Sequence, residues 1–345
     1  MAPLPEAAKS PVKAAILELY ERKDRSWRAR WAERFFTILG RHYADEHNSE
    51  RTYLGMSVLG DECEARLWLT FRWAHEGEPF DGRMLRLFET GHIEEARIIA
   101  DLDAIGVVIE EIDPATGGQW AVSAVGGHVR GHMDGRVAKG LPGAPKTVHV
   151  FENKTHNAKY FKDLKALCVE KAKPQHYAQM QGYMHLQGIS RAVYVAVEKD
   201  TDDFYIERIN YDPVYAAKLL AKGERIVTAE AMPPRQHENP ASKLAWKCGY
   251  CPAFGVCHDG KWARRNCRTC LHATAKLDGD GRWHCARHDR DLSKEDQRAG
   301  CGAHLYLPDL VPGKQVDADA HAETVTYVMR DGSTWVDGAE RGDAK

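Results

Sequence analysis

The stretch TVHVFENKT, residues 147–155, carries both the strand signal and the chemistry on which this chain is read. Thr147, Val148, Val150 and Phe151 are β-branched or aromatic, and glycine- and proline-bearing turns flank the run, so it reads as a strand. Residues two apart on a strand share a face, so Glu152 and Lys154 project side by side while Asn153 faces away. Just upstream, GHMDG (131–135) sets Asp134 beside Gly131 and Gly135, where a turn or strand bend can present a carboxylate. Two carboxylates can hold Mg²⁺ or Mn²⁺, which prefers hard oxygen ligands and leaves positions open for water and phosphate. A neighbouring lysine can position an attacking water or stabilise charge building on phosphoryl oxygens. Read singly, each element is ordinary: a Glu-x-Lys pair is most often a surface ion pair, and an Asp between glycines a turn former.

Two further elements give the set its weight. In PQHYAQMQGYMHL (174–186), Gln179 and Tyr183 are four apart, so on a helix the amide and the phenol point at one target. In FETGHIEEARI (88–98), Gly91 precedes Glu95 by four residues, with His92 as the competing candidate for a metal-linked role. The ordered set Gly91-x-x-x-Glu95, Asp134, Glu152-x-Lys154 and Gln179-x-x-x-Tyr183 resembles the RecB-like branch of the PD-(D/E)XK nuclease superfamily over residues 57–257. The resemblance implies a mixed sheet flanked by helices, the restriction-endonuclease-like α/β fold. It also implies metal ligation by Asp134 and Glu152 with the Asn153 carbonyl assisting, a catalytic Lys154, and Gln179 and Tyr183 orienting catalytic groups or the DNA backbone. Several members of the branch carry histidine where this chain has Glu95; a viral-exonuclease subgroup has glutamate there, which favours Glu95 as a ligand.

Nine cysteines in a chain expected to be cytosolic favour metal ligation over disulfides, because that compartment keeps thiols reduced. Seven of them fall between positions 248 and 301. Cys248-x2-Cys251-x5-Cys257 is one thiolate short of a tetrahedral set. Spacing alone would not propose Cys63, in SVLGDECEARLWL (57–69), as the fourth. The arrangement resembles iron–sulfur nucleases of the same branch, including the CRISPR-adaptation and AddB-type nucleases, in which one cysteine precedes the nuclease motifs and three follow. That resemblance implies a structural 4Fe–4S cluster on Cys63, Cys248, Cys251 and Cys257; the plain alternative for Cys63 is a buried, inert thiol. The second group, Cys267-x2-Cys270-x14-Cys285-x15-Cys301, suits tetrahedral Zn²⁺ in a zinc-ribbon-like segment, with His288 or His304 able to replace one thiolate. CLHATAKLDGDGRWHC (270–285) fits a hairpin between ligands. Cys168 is left over and is expected in a helix core.

Along the rest of the chain, residues 11–42 read as one helix, 57–74 and 84–102 as two more, and IGVVIEEI as a strand. QWAVSAV and HVRGHMDGRVA read as strands, 158–187 as helical, VYVAVEK and DFYIERI as a hairpin, and 212–231 as a helix. MPPRQHENPAS (232–242) has the content of a linker. The expected organisation is an N-terminal helical segment (1–50), a nuclease domain (51–262), a zinc-ribbon-like module (263–312) and a polar tail (313–345).

The composition is that of a globular protein, 43% apolar and 28% charged, and no apolar run is long enough for a membrane span. MAPLPEAAKS lacks the apolar core of a signal peptide, so a cytoplasmic setting without membrane contact is expected. Net charge is −2, and the basic residues Arg22 to Arg41 and the run Lys261, Arg264, Arg265, Arg268 are permissive of DNA contact, though solvated faces explain such runs more often. There is no phosphate-loop motif, so no ATP-driven motor is expected. The expected activity is an Mg²⁺- or Mn²⁺-dependent deoxyribonuclease, an exonuclease on duplex ends or single strands of DNA. By family analogy it belongs to phage or mobile-element recombination and repair, with a recombination or helicase partner. The competing reading is a non-catalytic nucleic-acid-binding or scaffold protein with structural metal sites. The sequence does not fix oligomeric state.

Overall fold

The structure is a computed structural model that describes residues 10–44, 51–77 and 80–338. The described residues form two compact units, one from 10–44, 80–122 and 131–219, the other from 51–77, 123–130 and 220–338. Asp134, Glu152, Lys154, Gln179 and Tyr183 belong to the first, and eight of the nine cysteines to the second.

The first unit begins with α1 (Pro11–Glu21) and α2 (Arg28–Ala44), not the single helix expected over 11–42. Arg22 leaves the helix with extended backbone, and Asp24 then accepts the Ser26 amide at 2.9 Å and its hydroxyl at 2.8 Å. That local turn competes with helix continuation. Helix α3 (Gly82–Ala104) starts at Asp81, whose carboxylate caps the Met84 amide. Buried Asp101 ties the three helices together by accepting from Tyr20 Oη at 2.8 Å and Trp31 Nε1 at 2.7 Å. There follow β1 (Val108–Glu110), β2 (Gly135–Lys139), β3 (His149–His156), α4 (Ala158–Ala172), α5 (Pro174–Gln187), β4 (Arg191–Glu198), β5 (Phe204–Asn210) and α6 (Pro213–Thr228), which runs on into the second unit.

The five strands form one mixed sheet in the order β1-β2-β3-β4-β5, parallel only between β3 and β4. The β3–β4 crossover supplies α4 and α5; Lys173, outside the helical region at φ −138° and ψ 62° before Pro174, divides them where one helical stretch was expected. Phe151, Val193, Val195 and Val197 face a core shared with Val12, Ile16, Ile38 and Ile99, and each such fully buried side chain contributes roughly 1.5–3 kcal/mol. The alternate residues of β3 and β4, including Glu152 and Lys154, therefore occupy the opposite face. The fold class is thus mixed α/β, as expected. Cys168 is half-buried at a kink in α4 with φ 62°, not in a helix core, and Glu207 accepts the following amide at 2.9 Å.

In the second unit, short helices Met56–Leu59 and Glu64–Phe71 replace the single helix expected there; Asp61 accepts the Cys63 amide at the break. The unit is built around Trp68, Phe71, Trp283 and a fully buried Arg268. The Arg268 guanidinium donates to the carbonyls of Phe71 and Thr52 and to Gln297, and lies 3.7 Å from the Trp73 ring centre. Arg268 is thus a structural member of the run Lys261–Arg268. Ala273–Ala275, Trp283–Cys285 and Arg290–Leu292 form an antiparallel three-stranded sheet that contains the expected hairpin.

The stretch expected as a polar tail is instead a second antiparallel sheet, Gly313–Asp319, Thr324–Met329 and Thr334–Asp337. Val325, Tyr327 and Met329 alternate inward and pack with Val311 and Trp335, so a period-2 apolar stripe offsets an otherwise polar composition. Residues 339–345 of that stretch lie outside the described residues. No helix among the described residues is long and apolar enough to cross a membrane.

Candidate active site and cysteine sites

Asp134 stands at the break between Val129–His132 and β2, so the run HVRGHMDGRVA is two strands rather than one. The β2–β3 register ends at Gly135 opposite Phe151, which leaves the Asn153 amide beyond the ladder. Asp134 Oδ2 accepts that amide at 2.8 Å and so fixes its carboxylate at the strand end. Packing at Gly135 is tight: a Cβ there would meet the Glu110 carbonyl and Ile109 side chain, both at 3.3 Å, so the neighbours would have to give by a few tenths of an ångström.

Glu152 is fully buried and forms an ion pair with Lys154. Lys154 Nζ also donates to the Asn153 carbonyl at 2.9 Å and lies 3.6 Å from Asp134. Burial, followed by the Asp134 charge, raises the Glu152 carboxyl above its usual range, opposed by the Lys154 ammonium. Burial alone would lower Lys154, but the Asp134 and Glu152 carboxylates outweigh it and keep the ammonium charged. Glu95, on α3, is raised well above the usual carboxyl range by burial and then by Asp134, so it stands in the field of the same group. It also lies 3.7 Å from His42 Nε2. His92, the competing candidate, stacks on the His42 ring at 4.4 Å.

Gln179 and Tyr183 share the expected face of α5. Gln179 Nε2 donates to Tyr183 Oη at 3.1 Å, and Tyr183 donates to the His132 carbonyl at 2.7 Å, two residues before Asp134. Burial and then the charge of Glu152 raise the Tyr183 phenol, so it stays protonated. The pair thus holds the segment that presents Asp134.

Three residues of this face were not singled out from sequence. His156 Nε2 and His176 Nδ1 each lie 2.9 Å from Tyr194 Oη. His156 follows Lys154 by two on β3, and His176 precedes Gln179 by three on α5, so both periodicities pointed to them. Tyr194 pairs opposite Glu152 in the β3–β4 register, which no local pattern encodes. Burial pushes the His156 imidazole down to about 4 and lowers His176 further, the charges of Lys173 and Lys154 adding to it, so both rings are neutral at pH 7.

Hard carboxylate oxygens suit a divalent cation in their chemistry, but Asp134, Glu152 and Glu95, like every other group of three His, Cys, Asp or Glu side chains among the described residues, are not already arranged to hold one. Three carboxylates share one field with a single lysine among them, and the buried Oε2 of Glu152 has no hydrogen-bond partner among the described residues. Asp134, Glu152 and Glu95 are the residues that would hold it. The Asn153 carbonyl, expected to assist, accepts from Lys154 as it stands. The basic run of α2 is largely neutralised: Arg34 and Arg41 pair with Glu111, and Arg30 with Asp103.

All nine cysteines are free thiols. Cys63, far back in sequence, lines one small cavity with Cys248, Cys251 and Cys257. Cys267, Cys270, Cys285 and Cys301 line another, together with His288 and His304. Burial raises the Cys248, Cys251, Cys257, Cys267 and Cys270 thiols, and neighbouring sulfurs of the same quartet raise them further. Of the alternative zinc ligands, His304 Nε2 meets Thr269 Oγ1 at 3.2 Å, whereas His288 Nε2 stands 3.6 Å from Cys301 Sγ. Among the described residues, no group of three or more His, Cys, Asp or Glu side chains is already arranged to hold a metal ion. Protonated thiols carry no charge to draw toward a cation, and binding would deprotonate and gather them.

No protein-family model matches the chain, and no curated protein matches it. Among solved structures, the chain is similar to the alkaline exonuclease LHK-Exo from Laribacter hongkongensis. In complex with dAMP that protein shows 15% identity, over 56% of this chain and 90% of that one, with a TM-score of 0.35. A second structure of it gives 14% identity, the same coverage and a TM-score of 0.33. SSO0001 is similar at 16% identity over 66% of this chain and 95% of that one, TM-score 0.35. Likenesses this distant do not bear on the chemistry, which rests on the residues themselves.

Proposed function

We propose that the chain is a metal-dependent deoxyribonuclease of the PD-(D/E)XK type, acting as an exonuclease on DNA ends or single strands. The observation that supports this reading is the group gathered at β3: Glu152 and Lys154 side by side on the strand, Asp134 just before β2 bonded to the amide between them, and Glu95 of α3 within their field. When bound, Mg²⁺ or Mn²⁺ would supply Lewis acidity toward phosphate and an activated water. Lys154, held charged by two carboxylates, serves to orient the attacking water and to stabilise charge on the phosphoryl oxygens. Gln179 and Tyr183 act as positioning residues, since Gln179 donates to the Tyr183 hydroxyl, whose bond to the His132 carbonyl holds the segment of Asp134.

The two cysteine quartets are proposed as structural sites, a 4Fe–4S cluster on Cys63, Cys248, Cys251 and Cys257, and Zn²⁺ on Cys267, Cys270, Cys285 and Cys301. The meeting of Cys63 with three thiols nearly two hundred residues later supports the first. An association with recombination or a helicase, in a phage setting, is part of the same proposal.

The test uses anaerobically prepared chain on end-labelled linear DNA and on closed circular DNA, with and without Mg²⁺. The proposal expects Mg²⁺-dependent release of end nucleotides from the linear form and intact circles. Equal cleavage of both forms would refute the exonuclease assignment, and no cleavage of either would refute the nuclease.

A further inference from the structure

Within the second unit, a cavity of about 490 Å³ is bounded by the segment around Met232–Arg235, residues 256–261, the turn Pro308–Lys314 and strand residues 328–330. Its volume is that of a small-molecule or nucleotide site. Four cationic side chains line it, Arg235, Lys261, Lys314 and Arg330, against one carboxylate, Asp309. Asp309 is engaged already, accepting the Met232 amide at 2.8 Å. Among the described residues Arg330 donates to the His258 carbonyl at 3.4 Å, while Arg235, at the edge of the cavity, pairs with exposed Glu238 at 3.5 Å and also lies against the Cys257 thiol. Proteins seldom converge four cations on one concavity without matching acids, because their mutual repulsion costs stability unless an anion enters.

The backbone is shaped to bring these cations in. Gly260 has φ +69°, and a Cβ there would stand 2.4 Å from Cζ of Arg330, so the guanidinium lies flat against the glycine. At Gly255 a Cβ would stand 2.7 Å from Cδ of Lys261. Val256, Pro308 and Pro312 add apolar wall.

We propose that this cavity binds nucleotide phosphate, as the backbone of a nucleic-acid strand. It is a contact site in the second unit, and it does not require the carboxylate–lysine group of the first unit to be catalytic. Guanidinium and ammonium groups are the usual phosphate partners, and the apolar wall suits the sugar or base.

The test is fluorescence anisotropy of a labelled single-stranded oligonucleotide, without added divalent cation, for the parent chain and for Lys314→Glu/Arg330→Glu. A control, Lys218→Glu/Lys294→Glu, makes the same change of net charge away from the cavity. Lys261→Glu, on a separate segment, guards against misfolding of the first variant, and circular dichroism checks all of them. Strand binding is expected to weaken roughly tenfold in both cavity variants and little in the control. The salt slope should fall by about 0.7 for each phosphate that the variant no longer neutralises. Competition with inorganic phosphate and with dAMP separates the sources. If the cavity variants lose only the binding of these small anions, the site takes free nucleotide phosphate and the shared chemistry stands. If neither strand nor small-anion binding differs between cavity and control variants, the proposal is overturned.

Discussion

Glu152 is the residue whose replacement says most about the candidate site, because its burial has a sign and a pH window. Its carboxyl is pushed up from the usual 4.5 to about 8, by burial first and by Asp134 second. An acid with a raised folded-state value leaves the fold unpenalised below pH 4.5 and costs stability as pH rises toward 8, since the unfolded chain ionises first. The buried imidazoles oppose this at low pH: His128, His149, His156, His176 and His304 are all lowered by burial from 6.5, so they cost stability as pH falls below that value. The Lys154 ammonium, held above its usual range, and the raised thiols do not titrate until pH is higher still. Near pH 6.5 to 7 the unfolded-state imidazoles still bind protons and oppose the carboxylates. The quantity that isolates Glu152 is therefore the difference in slope between the parent and Glu152→Gln, since the imidazoles contribute equally to both. Each pH unit corresponds to about 1.4 kcal/mol per group, so Glu152 alone removes about 2 kcal/mol between pH 6.5 and 8 in the absence of divalent cation. The assay is urea titration at pH 6.5, 7.2 and 8.0, with hydrogen exchange of the β3 and β4 amides reporting on the first unit. Glu152→Gln should make the slope more positive than the parent's by about 1.4 kcal/mol per pH unit. Saturating Mg²⁺ should shift the parent's slope in the same direction by holding the carboxylates ionised. A slope that Glu152→Gln leaves unchanged would show that the Glu152 carboxyl is not raised in the fold.

Other outcomes follow from the same geometry. Tyr183→Phe leaves the His132 carbonyl and the Gln179 amide without their buried partner and should cost about 1–3 kcal/mol in urea unfolding; in the nuclease assay it should lower kcat while leaving the divalent requirement intact. Cys63→Ser should lose iron and visible absorbance while retaining zinc, and Cys270→Ser the reverse, by elemental analysis of anaerobic preparations; equal loss of both metals would contradict two separate sites. Trp283→Ala, at a fully buried ring of the second unit, should cost about 3–5 kcal/mol, read as weaker amide protection in strands 273–292.

Period-2 and period-4 spacing made much of the candidate site legible. Glu152 with Lys154 and Gln179 with Tyr183 needed only one strand and one helix to come together, and Asp134 needed only a bend between glycines. Tyr194 was not legible, since its place beside Glu152 depends on how β3 and β4 pair. The breaks at Arg22–Ser26 and at Lys173–Pro174 went unread because hydrophobic periodicity runs through both; Asp24 and Pro174 were the local signals. Composition hid the sheet formed from 313–337, where few apolar residues suffice because they alternate. The approach of Cys63 to Cys248, Cys251 and Cys257 was suggested by family resemblance and by nothing in the spacing.

The most direct test of the central claim is the rate of Mg²⁺-dependent hydrolysis of end-labelled linear DNA by the parent chain and by Lys154→Met. A group that stabilises transition-state charge is typically worth about 10²- to 10³-fold in rate. Lys154→Met is expected to lose that much rate with metal affinity retained by calorimetry; hydrolysis at the parent rate would show that Lys154 takes no part in the chemistry.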